Sequence, residues 1–455
     1  MATLFLLGTA GPLLAQSPAT LPSAPVPDLN LAIQSGAPSP AAGPQDQAQT
    51  LTRVQAEQMA IHNNPRITAS KLLAMAQHQV VNEARSADLP TANGEITGVD
   101  AHNGGRISAG SLTSSRLLTH AGAGGTLTQL ITDFGHTHNL ILAQKLSAEA
   151  ANANALATTE DIVLAADSAF YDALTAQALL QVAKQTVATR QTTDTQVSQL
   201  TKNNLRSTLD LSFADVNLSQ AQLMQLDAQD NADATMAALD EVLGLDHSVQ
   251  YTVVDDATPL APPPPAADPL IGEALSQRPD LQALTYNQQS TQKYARAEWQ
   301  QMLPSINAAG TVGSVPTRTD QYYVSNWWGA VGVNMNIPIF NGFLYSSQAK
   351  EAQYRASAAA QNTRELRDRI VRDVRTAWLN ANTAFQRVGV TAQLVKEANL
   401  GLQLAQTRYR LGLSSIVELS QAELQQTTAQ IDNTNAQYQY RLSLAALNYQ
   451  VGATP

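Results

Sequence analysis

The sequence predicts a mainly α-helical protein with a smaller β component, built as two copies of one unit of long helical hairpins and short strand pairs. Three observations carry that prediction. First, small or apolar residues stand at Ile370, Val374, Ala377, Ala381, Ala384, Val388, Thr391, Val395, Ala398, Leu402, Ala405 and Tyr409, in steps that alternate four and three. This is the 3.5-residue seam of a left-handed coiled coil. A second run with the same spacing (Ile431, Asn435, Tyr438, Leu442, Ala445, Tyr449) follows the turn Leu411-Gly412-Leu413-Ser414-Ser415, so the two runs form an antiparallel hairpin. Second, the pattern recurs earlier in the chain. Third, Gly-, Ser- and Thr-rich segments with period-two alternation interrupt the helices.

The composition agrees. Aromatic residues make up only 5% of the 455, and the formal net charge is −10. Few aromatics suit thin helix-on-helix packing, and an acidic balance argues against a nucleic-acid partner. There is no cysteine, which excludes disulfides, thiolate metal sites and a lipid-modified cysteine within this sequence. Arg372, Asp373, Arg375, Arg387 and Lys396 exclude a membrane-spanning role for the long helical run.

In chain order, residues 1–16 read as the apolar core and small-residue cleavage site of a secretory signal. Residues 17–48 are a Pro- and Ala-rich flexible arm. The first repeat spans residues 49–246. Helical periodicity from Leu51 to about Ala87 is interrupted at Asn64-Pro65 and ended by Pro90. Residues 91–133 read as a β-hairpin, with Ala121, Ala123, Leu127 and Ile131 of one parity, Gly122, Gly124, Thr126 and Thr128 of the other, and a turn at Gly104-Gly105. A helical hairpin over 135–243 turns at Asn203-Asn204-Leu205 and closes at Gly244. Residues 247–268 are a Pro-rich linker. The second repeat spans 269–452, with a β-hairpin at 305–340 and a helical hairpin at 342–450.

The repeat follows from fixed offsets. Asn64-Pro65 recurs as Arg278-Pro279 and Leu89-Pro90 as Leu303-Pro304, each 214 residues on. Phe134-Gly135 is matched with Asn341-Gly342, after which the offset settles at 208: Leu205, Ser207, Asp210, Leu211 and Ser212 match Leu413, Ser415, Glu418, Leu419 and Ser420. In the second strand pair, Trp327, Val331, Val333, Met335, Ile337 and Ile339 share one face, and Asn326, Gly332, Asn334 and Asn336 the other. With Tyr322, Tyr323, Trp327 and Trp328 at one end, this suits a lipid-facing strand with an interfacial aromatic girdle; a half-buried soluble hairpin has the same alternation. Four strands cannot close a barrel, and an open edge is not tolerated in lipid. Strands that span a membrane would therefore need several chains to share one barrel.

From Leu51 to Gly452 the chain resembles the TolC-type outer-membrane efflux proteins. The resemblance rests on Asn64-Pro65-Arg66-Ile67 and Arg278-Pro279-Asp280-Leu281, on the joint Pro338-Ile339-Phe340-Asn341-Gly342, and on the tip Tyr409 to Leu419. It implies a homotrimer in the outer membrane that projects into the periplasm. Three chains of four membrane-spanning strands would close a twelve-stranded barrel above a trimeric α-helical barrel. The implied function is a passive exit duct for a periplasmic adaptor and an inner-membrane transporter. The resemblance places the first gate carboxylate at Glu418 and the second at Gln421, which would leave that ring uncharged. It places a hydrogen bond between Asp210 and Tyr409, and the basic partner of a second link at Ser414, so that this link is absent or rebuilt through Arg206 or Arg410. Adaptor docking would use Asn203, Asn204, Leu205, Arg206 and Ser207 on one tip and Leu411, Gly412, Leu413, Ser414 and Ser415 on the other. Asn204 and Gly412 also have a purely structural reading as turn residues, and Glu418 one as a helix-start acid.

No catalytic, cofactor or metal site is expected. His136 and His138, at i and i+2, do not share a helix face. Asp255-Asp256 reads as a solvated loop, and no nucleophile elbow or phosphate loop is present. The competing reading from another class is an exported soluble coiled-coil scaffold, for which Trp327-Trp328 above alternating apolar residues would have no use.

Overall fold

The computed structural model describes residues 49–99, 106–107, 115–116, 120–245, 251–255, 259–314 and 327–453, all within one unit spanning 48–455. The expected signal, the Pro/Ala arm, the Gly104-Gly105 turn, Tyr322, Tyr323, Asn326 and Asp256 lie outside the described residues.

The first half carries β1 (Gln49–Leu51), α1 (Arg53–Asn63), α2 (Pro65–Ser86), β2 (Thr91–Val99), short β3 (Arg106–Ile107) and β4 (Ser115–Arg116), β5 (His120–Thr132), α3 (His136–Lys202) and α4 (Thr208–Leu243). After β6 (Tyr251–Val253), the second half carries α5 (Asp268–Gln277), α6 (Pro279–Gln300), β7 (Ser305–Ser314), β8 (Trp328–Asn336), α7 (Leu344–Arg410) and α8 (Ile416–Val451). Three pairs of corresponding helices have equal lengths: α2 and α6 are 22 residues, α3 and α7 are 67, α4 and α8 are 36. At the standard rise, a 67-residue helix is about 100 Å long.

The helix boundaries have local causes. Thr52 and Gln55 form a reciprocal capping box at the start of α1. Pro65 and Pro279 occupy the first turn of α2 and α6, where a missing N–H costs nothing. The residue before each proline ties the repeat together: Asn64 Nδ2 donates to the Val242 carbonyl (2.9 Å), and Arg278 Nη1 donates to the Gln450 carbonyl (3.3 Å). Val242 and Gln450 are 208 residues apart, so two different side chains make the same tie. Each meets a left-handed glycine that ends the neighbouring helix, Gly244 (φ 70°) and Gly452 (φ 76°). A Cβ on Gly244 would fall 2.9 Å from the Asn63 carbonyl oxygen, so the position excludes any other residue on space as well as on φ.

Each strand-to-helix joint has two successive positive-φ residues, Phe134-Gly135 and Gly342-Phe343. The backbone therefore aligns Phe134-Gly135 with Gly342-Phe343 rather than with Asn341-Gly342, and the 208-residue offset holds from this point. The sequence match was drawn to the glycines, but the joint needs one glycine at either position.

The seam on α7 is inside: Ile370, Val374, Ala381, Ala384, Thr391, Ala405 and Tyr409 are buried and the remaining seam residues half-buried. The seam expected on α8 is displaced. Its buried stripe is Ile416, Leu419, Glu423, Thr427, Ala429, Ala436, Tyr440, Leu447 and Val451. Asn435, Tyr438 and Leu442 instead line a cavity of about 520 Å³ together with Tyr171, Arg387 and Asp432. Close helix contact selects small side chains such as Ala429 and Ala436, and the larger apolar residues beside them drew the pattern off register. The two halves bury equivalent cores: Ala60, Ile67, Ile162, Ala166, Ala173, Leu239 and Leu243 in one, Ala274, Leu281, Ile370, Val374, Ala381, Leu447 and Val451 in the other.

Three further differences concern the start of the first half and the chain between the halves. Residues 49–51 and 251–253 are not helix start and linker but a parallel strand pair, burying Leu51 and Val253 against α1, α3 and α4. The Pro-rich run is strapped down, since Trp378 Nε1 donates to the Pro264 carbonyl (2.7 Å) and the Tyr440 hydroxyl to that of Ala261. Prolines keep their carbonyls, so a proline run can still accept. Asp255 is not a free loop acid, because Arg441 Nη1 lies 2.7 Å from it.

Candidate functional site

Two regions carry the expected sites, the hairpin tips and the four-stranded sheet. Both tips are built alike. At the end of α3 the Leu205 N–H reaches the Leu200 carbonyl (2.9 Å) and the Asn204 N–H that of Thr201 (3.0 Å); at the end of α7 Leu413 reaches Arg408 (2.8 Å) and Gly412 reaches Tyr409 (3.0 Å). This is the paired bonding of a Schellman motif, with Asn204 (φ 58°) and Gly412 (φ 73°) in the left-handed position. Ser207 and Ser415 then cap α4 and α8 by accepting from the Asp210 and Glu418 N–H groups (3.2 and 3.3 Å). Leu205, Leu411 and Leu413 are exposed.

The expected Asp210–Tyr409 hydrogen bond is not made within this chain. Tyr409 is 4% exposed and its hydroxyl is buried without a partner among the described residues. Arg206 contacts this residue instead: its guanidinium lies 4.3 Å from the Tyr409 ring centroid and donates to the Tyr409 carbonyl (2.7 Å), joining the first tip to the end of α7. Arg410 remains on its own helix at Thr407 (3.4 Å), and the Ser414 hydroxyl is buried and without a partner among the described residues. Burial pushes the Tyr409 phenol up, with Arg206 opposing. Glu418 pairs with Arg408 across its own hairpin (2.9 Å), while Gln421 is exposed.

Above the tips a polar ladder joins α3 and α4 to α8. Asn217 donates to Ser420 (2.7 Å), Arg190 pairs with Glu423, Thr193 donates to Glu423 (2.9 Å), and Thr186 lies 3.5 Å from Thr427. The Arg190 and Glu423 side chains are 8% and 3% exposed, and burial pushes the Glu423 carboxyl up against the opposing effect of Arg190. Sequence reasoning missed this pair. Its signal was an acid at Glu423 within the 416–419–423–427 stripe, where an apolar residue belongs.

The sheet runs β2-β5-β7-β8, antiparallel throughout, and among the described residues β2 and β8 have no partner on their outer edges. Rows of paired residues extend across all four strands. Ala92–Leu127–Gly310–Val331 and Gly94–Gly125–Val312–Gly329 lie on one face; Thr91–Thr128–Ala309–Gly332 and Asn93–Thr126–Thr311–Ala330 lie on the other. The first face is apolar and open, with Ile96 91% and Val331 89% exposed. The second is polar, and Thr91 and Thr128 hydrogen-bond across it at 2.5 Å. A bulge between Leu130 and Thr132 breaks the expected parity at Ile131. β8 stops at Asn336, before Ile337 and Ile339, because Pro338 cannot donate to a ladder. Trp328 lies on the polar face, so the aromatic girdle does not account for it.

The outer membrane efflux protein family model matches residues 57–245 and 270–453, one match to each half. The chain belongs to the outer membrane efflux protein family. It is 24% identical over 424 residues to the outer membrane protein TolC of Salmonella enteritidis, covering 89% of this chain and 82% of TolC. The outer membrane efflux protein BepC of Brucella suis is 21% identical over 407 residues, covering 85% and 82%. The fold is that of the Campylobacter jejuni CmeC outer membrane channel (TM-score 0.78, 17% identity, 88% of this chain and 85% of that one). It is also that of the Vibrio cholerae outer membrane protein VceC (TM-score 0.75, 16% identity, covering 88% and 96%). The family is one of outer-membrane transport proteins, not enzymes. In this efflux protein His136 serves the scaffold: its Nδ1 donates to the Ala297 carbonyl (2.8 Å), fastening α3 to α6 just below the sheet.

Proposed function

We propose that this chain is one third of an outer-membrane exit duct, conducting passively from a periplasmic adaptor and an inner-membrane transporter to the outside. The observation that carries this reading is the sheet: four strands with one continuous apolar face, one continuous polar face and two unpaired edges. In lipid those edges must pair, and β8 of one copy against β2 of the next satisfies both. Three copies give twelve strands, with the polar faces lining a lumen and the long helices continuing the wall into the periplasm. The exposed leucines of the tips supply apolar docking points for an adaptor, beside the Arg206–Tyr409 and Arg408–Glu418 contacts that would hold the entrance. The cargo follows the transporter, as in any passive duct, in tripartite efflux or in type I secretion.

The test is to express the chain, separate the membranes and weigh the detergent-extracted particle by light scattering. A trimer in the outer-membrane fraction that conducts in planar bilayers is expected. A soluble monomer or dimer would overturn the duct and favour the scaffold reading.

A further inference from the structure

The row Glu95–Gly124–Gly313–Trp328 crosses the polar face of the sheet from one edge strand to the other. It differs from its neighbours: a carboxylate stands at one end, an indole at the other, and nothing projects between them. The indole leans inward, since a Cβ on Gly313 would sit 3.8 Å from Trp328 Cζ2. A methyl at Gly124 or Gly313 would also press on a facing carbonyl oxygen at 3.1 Å, so the floor of the row is bare backbone. Strands are spaced about 4.8 Å apart. The ring already covers the Gly313 strand, so the bare floor between it and the Glu95 strand spans two strand spacings, about 10 Å. Thr97, Thr126 and Thr311 surround a depression of about 280 Å³ at this place. Trp328 is 45% exposed there. A half-exposed indole on the water-filled side of a sheet has no girdle role, whereas Trp327, with the parity of Val331 and Val333, does.

From this juxtaposition we propose that the polar face holds a subsite for organic cations, in which an aromatic or alkyl-ammonium group packs on Trp328 and its charge faces Glu95. An indole face attracts a cation through its quadrupole, most strongly for weakly hydrated ammonium groups. The carboxylate adds a charge of the required sign, and the hydroxyls of the flanking threonines accept from any N–H the ligand carries. The ligand class is a cation with a compact apolar body, such as a benzylammonium. A metal ion would gain nothing from the indole, and an anion would be repelled. The subsite rests on the duct reading, in which the polar face lines the lumen and three such places stand at one height.

The test is block of single-channel current in planar bilayers by benzyltrimethylammonium, with tetramethylammonium and benzenesulfonate as comparisons. Benzyltrimethylammonium should block best and benzenesulfonate not at all. Glu95→Gln should weaken the block about tenfold, Trp328→Leu should erase the preference for the benzyl compound, and Trp328→Phe should retain it. Block that is unchanged in both Glu95→Gln and Trp328→Leu channels, or equal block by the sulfonate, overturns the subsite while leaving the duct standing. A native chain that gives no channels at all overturns the duct itself.

Discussion

At the scale of single residues, backbone geometry assigns unequal weight to glycines that look alike in the sequence. Gly244 and Gly412 both have positive φ, but only Gly244 faces a backbone oxygen where its Cβ would stand. Gly412→Ala should cost about 1 kcal/mol through conformation alone, and Gly244→Ala clearly more, read as thermal unfolding of detergent-solubilised protein by circular dichroism. Asn204 already tolerates the left-handed position, so Asn204→Gly should be close to neutral. A second contrast lies at Tyr409. Its hydroxyl finds no partner among the described residues, so Tyr409→Phe should leave stability unchanged or raise it. Arg206→Ala removes both the contact over the ring and the bond to the Tyr409 carbonyl, and should raise single-channel conductance where Tyr409→Phe does not. Equal conductance in the two variants would detach Arg206 from the entrance.

Among the elements, those whose ends have local chemistry were legible in the sequence. The long helices begin and stop where prolines, serine caps and left-handed turn residues require, and the offset of 208 carried the second hairpin onto the first. What was not legible depends on distant partners. The β1–β6 pair joins two three-residue strands 202 positions apart, too short for any alternation to register. The α8 stripe lies one or two positions from the expected one (Tyr440 rather than Tyr438, Leu447 rather than Ala445), and small residues such as Ala429 and Ala436, which carry no strong apolar signal, make up part of it. Arg190 and Glu423 are 233 residues apart, and neither position announces the other. This pair fastens the first hairpin to the second. Arg190→Ala should therefore cost about 3–5 kcal/mol by leaving a buried carboxylate uncompensated, whereas Arg190→Leu combined with Glu423→Leu should recover most of that loss. Chemical denaturation of the two variants side by side decides it.

For the whole molecule, pH is the informative variable. Asp167 of α3 and Glu57 of α1 are both buried, with Arg53 between them and Tyr171 adjacent. Burial first, then the hydrogen bond and like charge of Glu57, push Asp167 from 3.8 up to about 7. The folded chain thus keeps a proton that the unfolded chain releases near pH 4. The resulting stabilisation is complete below the ordinary carboxylate range and is lost as pH rises through about 7. The melting temperature should fall from pH 5 to pH 8, and Asp167→Asn should flatten that fall; a profile as steep in the variant would remove Asp167 as its source. The site was only partly readable at this scale too: the tips were located, but their cross-links and the face of Trp328 depend on how two halves of the chain meet.

The equal lengths of paired helices, 67 with 67 and 36 with 36, have a consequence for how such a chain can change. The two hairpins hang from one sheet and must end level with each other, as two legs must match for a table to stand. Removing one heptad from both arms of a single hairpin would raise its tip by about 10 Å, lifting Arg206 away from Tyr409 and offsetting the polar ladder by two turns. The same cut made in both hairpins would shorten the legs together and keep every rung. Length in this protein is therefore one shared dimension, and a viable indel in one arm carries three others with it.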